Sequence, residues 1–520
     1  MKKQFSTISL LLALLVSTQA HAKTKNIILM IGDGMGPQQV SQAIMYRQAM
    51  KSDKEKLSLE KLYEKSLHAV ASTNSADSVV TDSAAAATAL ACGIKTNNDM
   101  VGKDINGKPC TSILRIAKQM GKSTGLVSTT RITHATPASF ASANVSRENE
   151  NEIAKQYVNE AAVDIFLGGG ARQFLPQGES FSGIPECKSE KRNPLLEGKS
   201  KRKDYLSLLS QAKDNGYTFV CTKHQLNALP LGSKILGTFA NTHLPLIQER
   251  QQIAALPSLT EMTEVALKHL SQNENGFFIM IEGGEIDFAG HRNDAATQLK
   301  ETLDFDKAIA VAMKFADEHP DTLLLVTADH ETGGFSMSYQ HHKHAAKPVR
   351  LASNEMYEAR YNNPTQHIFR LFEQQTGSFD TILNPSLELL SSTDKANASE
   401  WETHFKTAVH LLMKNIRANS AYTLSEEEAK DVLTISEAHE PMPGHYDPNP
   451  FSSSDEIEYV GNKLAHYISE QSFSVWATGN HTHIPVDVFA YGKTSDIKNN
   501  FPALMDNTDI FKMMKTAFGR

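Results

Sequence analysis

Phe277-Phe278-Ile279-Met280-Ile281-Glu282-Gly283-Gly284-Glu285-Ile286-Asp287-Phe288-Ala289-Gly290-His291 decides the fold. It opens with an unbroken apolar run, turns at an acid and two glycines, and then sets Asp287 and His291 four residues apart. A short run with no apolar/polar alternation reads as a strand buried on both faces. A helix after it brings residues four apart onto one face. Strand, glycine turn and helix make the repeating unit of a parallel α/β sheet. The same apolar runs recur at 27–31, 67–71, 123–128, 163–167, 217–221 and 323–327, each followed within two residues by Gly, Asp, Ser or Thr. Helix-like stretches at 111–120 and 148–162 lie between them. The expected fold is α/β: a three-layer α/β/α sandwich with a mostly parallel central sheet. Ligands of such sheets bind beyond the carboxyl ends of the strands. Asp33, Glu282 and Asp329 all stand there, directly after an apolar run.

From 337 to 470 this rhythm stops, and the segment reads as a large insertion in one domain spanning 23–520. It carries Gln340-His341-His342-Lys343-His344, an Asn362-Asn363-Pro364 turn, a helical candidate at 401–418 and the loop Glu440-Pro441-Met442-Pro443-Gly444. The histidine run reads as a solvated basic loop. Sheet-like runs return near 474–478 and 486–491, and a second irregular stretch covers 177–203.

Met1-Lys2-Lys3, the apolar run 8–16 and Ala20-His21-Ala22 form a basic region, a short hydrophobic region and an A-x-A site. Residues 1–22 therefore read as a secretory signal peptide, and the protein as periplasmic or secreted. That run is too short for a permanent anchor, and no later segment is long and apolar enough to span a bilayer. The net charge of −7 argues against a nucleic-acid partner. An anionic substrate would need local positive charge, which bound metals supply. Export permits disulfides among Cys92, Cys110, Cys187 and Cys221. Cys187 and Cys221 flank a loop-like stretch and are the preferred pair. Cys92 ends an alanine-rich helix and reads as a buried free thiol. Four cysteines allow three pairings.

That helix, 84–91, follows Val80-Thr81-Asp82-Ser83. A serine in the first turn meets free N–H groups and the positive end of the helix dipole, which suit phosphate. A capping serine explains Ser83 alone, but not the other residues of this chain. Asp33, Thr136, Glu282, Asp287, His291, Asp329, His330 and His481 supply oxygen and nitrogen donors without thiolates, a set that fits zinc with magnesium. Of His481 and His483, one is a ligand candidate.

These residues resemble the motifs of the metal-dependent alkaline phosphatases. The matching blocks are 32–36, 80–89, Thr136-Pro137, Ser146-Arg147, 282–291, 329–334 and His481-Thr482, in the family's chain order. The long segment before the last histidine looks most like the marine-bacterial branch, with its large surface loops. The resemblance implies hydrolysis of phosphate monoesters through a covalent phosphoseryl intermediate on Ser83, with Arg147 clamping phosphate oxygens. It implies one zinc on Asp287, His291 and His481, a second on Asp33, Asp329 and His330, and a magnesium on Asp33, Thr136 and Glu282. His481 is preferred over His483 by its distance to Tyr491-Gly492. The resemblance further implies a homodimer, with 337–470 covering the partner or shaping the site. Two departures stand out. His134 occupies a position where some relatives carry Asp, and Phe288 one where others carry Lys, His or Trp. Sulfatases of related fold need a Cys/Ser-x-Pro-x-Arg segment, which neither Ser83-Ala84-Ala85 nor Cys92-Gly93-Ile94 provides. Diesterases usually carry a threonine nucleophile and lack the third-metal residues. A binding protein with a dead site would lack a ligand or the nucleophile, and none is missing.

Overall fold

The computed structural model describes residues 23–520 apart from 51–54, 161, 181–183, 185–186, 188–192, 339–347, 358–364, 395–396 and 435–454. The expected signal peptide, the histidine run 341–344, the 362–364 turn and the 440–444 loop lie outside the described residues. The chain forms the expected α/β fold around a ten-stranded sheet. From one edge its order is Leu504–Asp506, Leu67–Ser72, Val486–Gly492, Thr322–Ala328, Asn26–Gly32, Phe277–Gly283, Ser123–Arg131, Ile165–Gly169, Lys234–Thr238 and Tyr217–Val220. Only Val486–Gly492 runs antiparallel to its neighbours. The three central strands, Asn26–Gly32, Phe277–Gly283 and Thr322–Ala328, are buried at every residue. Helices cover both of their faces, which is why these runs are apolar throughout.

Register aligns the functional ends. Gly32 pairs with Gly283 on one side and Ala328 on the other. Asp33 and Asp329 therefore leave the sheet at one level, beside Glu282, which pairs with Ser128. The antiparallel strand starts at that same edge, with Val488 beside Thr327. The segment before it, including His481, is thereby delivered to the acids. Gly34, at φ +69°, turns the chain there, and a Cβ on it would lie 2.8 Å from Asp287 Cα.

Two expectations are corrected. Cys92 is not a free thiol: it is disulfide-bonded to Cys110, with Cα atoms 6.1 Å apart. The loop after the helix Ser83–Cys92 folds back, Cys110 N–H donating to Gly102 O and Asn144 N–H to Val101 O, and so brings Cys110 to the helix end. Cys187 does pair with Cys221. The run at 474–478 is not a sheet strand; only Ser474–Val475 is extended, and it pairs with Ser336–Met337 apart from the main sheet. Lys234–Thr238 and Leu504–Asp506, by contrast, are sheet strands too short and too mixed to read from sequence.

Between the strand Ser336–Met337 and His481 the chain builds helices rather than irregular loops: Thr365–Gln374, Phe379–Ser391, Ala398–Asn419, Glu426–Leu433 and Asp455–Ser472. Ile382, Leu383, Leu412, Ile416, Val432, Val460 and Leu464 give the last four a hydrophobic core of their own. Among the described residues no helix is long and apolar enough to cross a membrane.

Candidate active site

Ser83 begins a fully buried ten-residue helix. Asp82 caps it, Oδ1 accepting from Ala85 N at 2.9 Å, and Gly93 closes it in the left-handed region at φ 70°. The Asp82 Oδ2 atom accepts from Asp99 N at 3.0 Å and from Arg147 Nη1 at 3.1 Å. Arg147 Nη2 donates to His134 Nε2 at 2.9 Å. Ser83 is buried, and its Oγ lies 3.1 Å from His330 Nε2.

His330 Nε2 lies 3.2 Å from Asp329 Oδ2 and 3.5 Å from Asp33 Oδ1. Asp33, Asp329 and His330 thus form one donor set, all fully buried. Asp287, His291 and His481 form a second. There His291 Nε2 is 3.2 Å from Asp287 Oδ2, and His481 Nε2 is 3.1 Å from His291 Nε2. The remaining nitrogens of these two rings face backbone carbonyls: His291 Nδ1 meets Gly479 O at 2.7 Å and His481 Nδ1 meets Thr81 O at 2.9 Å. Each carbonyl fixes the Nδ1–H tautomer and leaves Nε2 as a lone-pair donor, the usual arrangement of metal-binding histidines. His483 is exposed. The third set holds Asp33, Glu282 and His134. Thr136 is the second residue of the helix Ala135–Ala141, and its side chain is fully buried. His134, noted from sequence only as a departure, is thus itself in the third set.

The electrostatics call for cations. Burial first, then the charges of Asp329, Asp287 and Glu282, push the Asp33 carboxyl well above its usual range. Burial, with Asp329, lifts Glu282 to about 7 against a hydrogen bond from Ser128. Burial opposes ionisation of Asp287 too, but His291, His481 and His330 hold it well below its ordinary value. Burial and Arg147 keep His134 neutral. Among the described residues both Asp33 oxygens, Asp329 Oδ2, Glu282 Oε1 and Thr136 Oγ1 are buried without a hydrogen-bond partner. Unpaired buried acids are costly, and divalent cations satisfy all of them at once. The residues fit zinc at the Asp287–His291–His481 and Asp33–Asp329–His330 sets, and a harder cation at the third, where the Thr136 hydroxyl adds a further oxygen to Asp33 and Glu282.

All ten residues singled out from sequence gather at this edge. Sequence reading missed three others. Asp82 anchors Arg147, a role its capping position could have signalled. Thr332 donates to Asp287 and lies 3.3 Å from His330 Nδ1, so it touches both histidine-bearing sets. Asn462 donates to the His291 carbonyl at 2.7 Å from a helix far along the chain, and nothing local marks it.

Comparison with known proteins places the chain in a family. The alkaline phosphatase family profile matches residues 24–519. Alkaline phosphatase 3 of Bacillus subtilis is 33% identical over 499 residues, covering 94% of this chain and 87% of the relative. The crystal structure of a cold-active alkaline phosphatase from the psychrophile Shewanella sp. aligns with a TM-score of 0.68 and 28% identity, over 95% of this chain and 100% of that one. A histidine-to-aspartate variant of TAB5 alkaline phosphatase, with Mg bound in its M3 site, aligns with a TM-score of 0.58 and 25% identity, over 96% of this chain and 98% of that one. The chain belongs to the alkaline phosphatase family, whose activity is the hydrolysis of phosphate monoesters.

Proposed function

We propose that this chain is an exported phosphomonoesterase that works through a phosphoseryl intermediate on Ser83. The observation that carries this reading is the buried Ser83 Oγ, 3.1 Å from a donor-set histidine, beside an Arg147 fork tied to Asp82. Asp287, His291 and His481 would hold one zinc, Asp33, Asp329 and His330 the second, and Asp33, Thr136 and Glu282, with His134 alongside, the magnesium. Bound there, the cations would supply Lewis-acid stabilisation of the attacking and leaving oxygens and would activate water. Arg147 offers two parallel N–H groups to phosphate oxygens, a match for its planar fork. The Ser83 Oγ–phosphorus bond forms as the ester P–O bond breaks, and the alcohol departs with the ester oxygen. Water then displaces Ser83 from phosphorus and releases inorganic phosphate. The N-terminal N–H groups of the Ser83 helix face the growing charge.

Residues 1–22 serve as the signal peptide in this reading. The two disulfides and the net charge of −7 fit an exported protein without a nucleic-acid partner. The functional unit is a homodimer, with the helices of 337–470 covering the partner or framing the site. The decisive test is Ser83→Ala. Wild type quenched in acid during turnover should carry phosphate on the peptide containing Ser83, seen by mass spectrometry. The variant should carry none and lose about 10³-fold or more of kcat. Full turnover by Ser83→Ala would reject the covalent route.

A further inference from the structure

The helix Asp455–Ser472 reaches the active site, and among the described residues none of its side chains joins the three donor sets. Gly461 lets it come close: a Cβ there would meet Arg292 O at 3.0 Å. The next residue, Asn462, is 9% exposed and donates Nδ2–H to the His291 carbonyl at 2.7 Å. Its other side lies against Gly479, where a Cβ would sit 2.1 Å from Asn462 Oδ1. Gly479 is the residue whose carbonyl receives His291 Nδ1. One side chain therefore touches both the backbone of His291 and the residue that orients its ring. Asn293 closes the junction at a left-handed φ of 56°. With its amide assigned by its surroundings, its nitrogen faces the carbonyls of Thr478 and Gly290 at 3.0 and 2.9 Å and its oxygen faces Asn462 Nδ2 at 3.3 Å.

The helical unit is fastened at this point by charge. Arg292 is paired with Asp380 and donates to Phe288 O at 2.9 Å. Asp294 accepts from Phe379 N at 2.9 Å and Gln375 Nε2 at 2.8 Å. Glu249 accepts from Ser378 N at 2.9 Å and Thr381 Oγ1 at 2.6 Å. Two carboxylates of the sheet domain thus cap the start of Phe379–Ser391, where the helix dipole favours them. The unit is seated on residues 288–294, the segment that carries His291.

We propose that Asn462 is a positioning residue for the Asp287–His291–His481 donor set, through which the helical unit sets zinc affinity there. The inference rests on reading that set as a zinc site. Groups that orient a ligating histidine typically change metal affinity by about 10–100-fold when removed. The test uses full-length protein loaded with zinc, titrated with a chromophoric chelator and read as zinc per chain. Cobalt substitution gives a second readout through its visible absorption. Asn462→Ala and the isosteric Asn462→Asp should both release one of two zinc equivalents about 10–100-fold more readily and leave the other unchanged. If Asn462→Ala does not fold, Asn462→Asp carries the test, because it sets a carboxylate oxygen against the His291 carbonyl. Asn415→Ala is the control: Asn415 donates to Ile382 O at 3.3 Å inside the helical unit. It should lower thermal stability without releasing zinc. Unchanged zinc retention in both Asn462 variants would overturn the proposal. So would equal loss of both zincs, or equal loss in Asn415→Ala, since each marks a merely structural role. A wild type that binds no zinc at these residues would instead overturn the reading of the site itself.

Discussion

Arg147 is tied to Asp82, Nη1 to Oδ2 at 3.1 Å, and Asp82 is the residue immediately before Ser83. One carboxylate thus caps the helix of the proposed nucleophile with one oxygen, and with the other holds Arg147, the proposed phosphate clamp, while also accepting from Asp99 N. Asp82→Asn keeps an oxygen for the cap and removes the charge opposite Arg147. A hydrogen bond to a charged group contributes about 1.5–3 kcal/mol, so phosphate inhibition should change by about 10- to 100-fold. The expected direction is weaker inhibition, because a guanidinium free to sample other rotamers binds with a larger entropy loss. Inhibition constants for inorganic phosphate give the comparison, and an unchanged value would show that His134 alone orients Arg147.

The two proposed zinc sets should be separable. His291→Ala should remove the zinc held with Asp287 and His481, whereas His330→Ala should remove the one held with Asp33 and Asp329. Each variant should bind one zinc fewer than wild type by metal analysis, and each should lose most of its kcat. Chelation of wild type should abolish activity, and zinc with magnesium should restore it. Identical metal content in wild type and both variants would show that other residues bind the zinc.

The fold was legible because its central strands are buried on both faces, which leaves unbroken apolar runs such as 277–281. The site was legible because parallel register puts the residues after those runs at one edge. Asp33 and Asp329 could therefore be grouped before any coordinates. What stayed hidden depends on distant contacts. Cys92 pairs with Cys110 because a loop folds back over the helix end, and no periodicity encodes that return. Lys234–Thr238 enters the sheet with few large apolar residues, since its neighbours supply the pairing. The helices of 379–472 hold a separate core, and only one of them stood out by pattern. Asn462 reads as any polar helix residue until the close approach of Gly461 to Arg292 sets it against the His291 carbonyl.

Lys122 gives a pH-dependent stability away from the metals. Its ammonium donates to Lys25 O at 2.7 Å and Asn275 O at 2.6 Å. Burial, then Lys23 and Lys25, lower its pKa to about 8. In the unfolded chain it titrates near 10.4. Between these values the unfolded state binds more protons, so this group makes stability rise with pH. Lys122→Gln removes that rise. The stability difference, wild type minus variant, should therefore grow by on the order of 1–2 kcal/mol between pH 7.5 and pH 10, after discounting for solvent screening. Urea unfolding at both pH values measures it. A difference independent of pH would mean that Lys122 keeps its ordinary pKa in the fold.

The last prediction concerns His134 and Phe288, the two departures from the family pattern. His134 is neutral, shares the third set with Asp33 and Glu282, and receives Arg147 Nη2 at 2.9 Å. Its ring centroid is 5.9 Å from that of Phe288, which in turn lies 4.5 Å from that of His243. Magnesium prefers oxygen donors and bound water, so a neutral nitrogen in the set should hold it loosely. His134→Asp adds a carboxylate both to the cation site and to Arg147. Phe288→Lys adds an ammonium where a phenyl ring now offers phosphate nothing. Together they should tighten magnesium binding and phosphate inhibition. If product release limits turnover, as it does in many evolved enzymes, tighter phosphate must lower kcat. The single variants divide the effect: His134→Asp alone should account for the magnesium change, and Phe288→Lys alone for most of the phosphate change. Magnesium titration, phosphate inhibition constants and kcat of all three variants provide the test. A double variant with tighter phosphate and a higher kcat would contradict limiting release, and weaker magnesium binding in His134→Asp would show that the histidine is itself a better ligand there than a carboxylate.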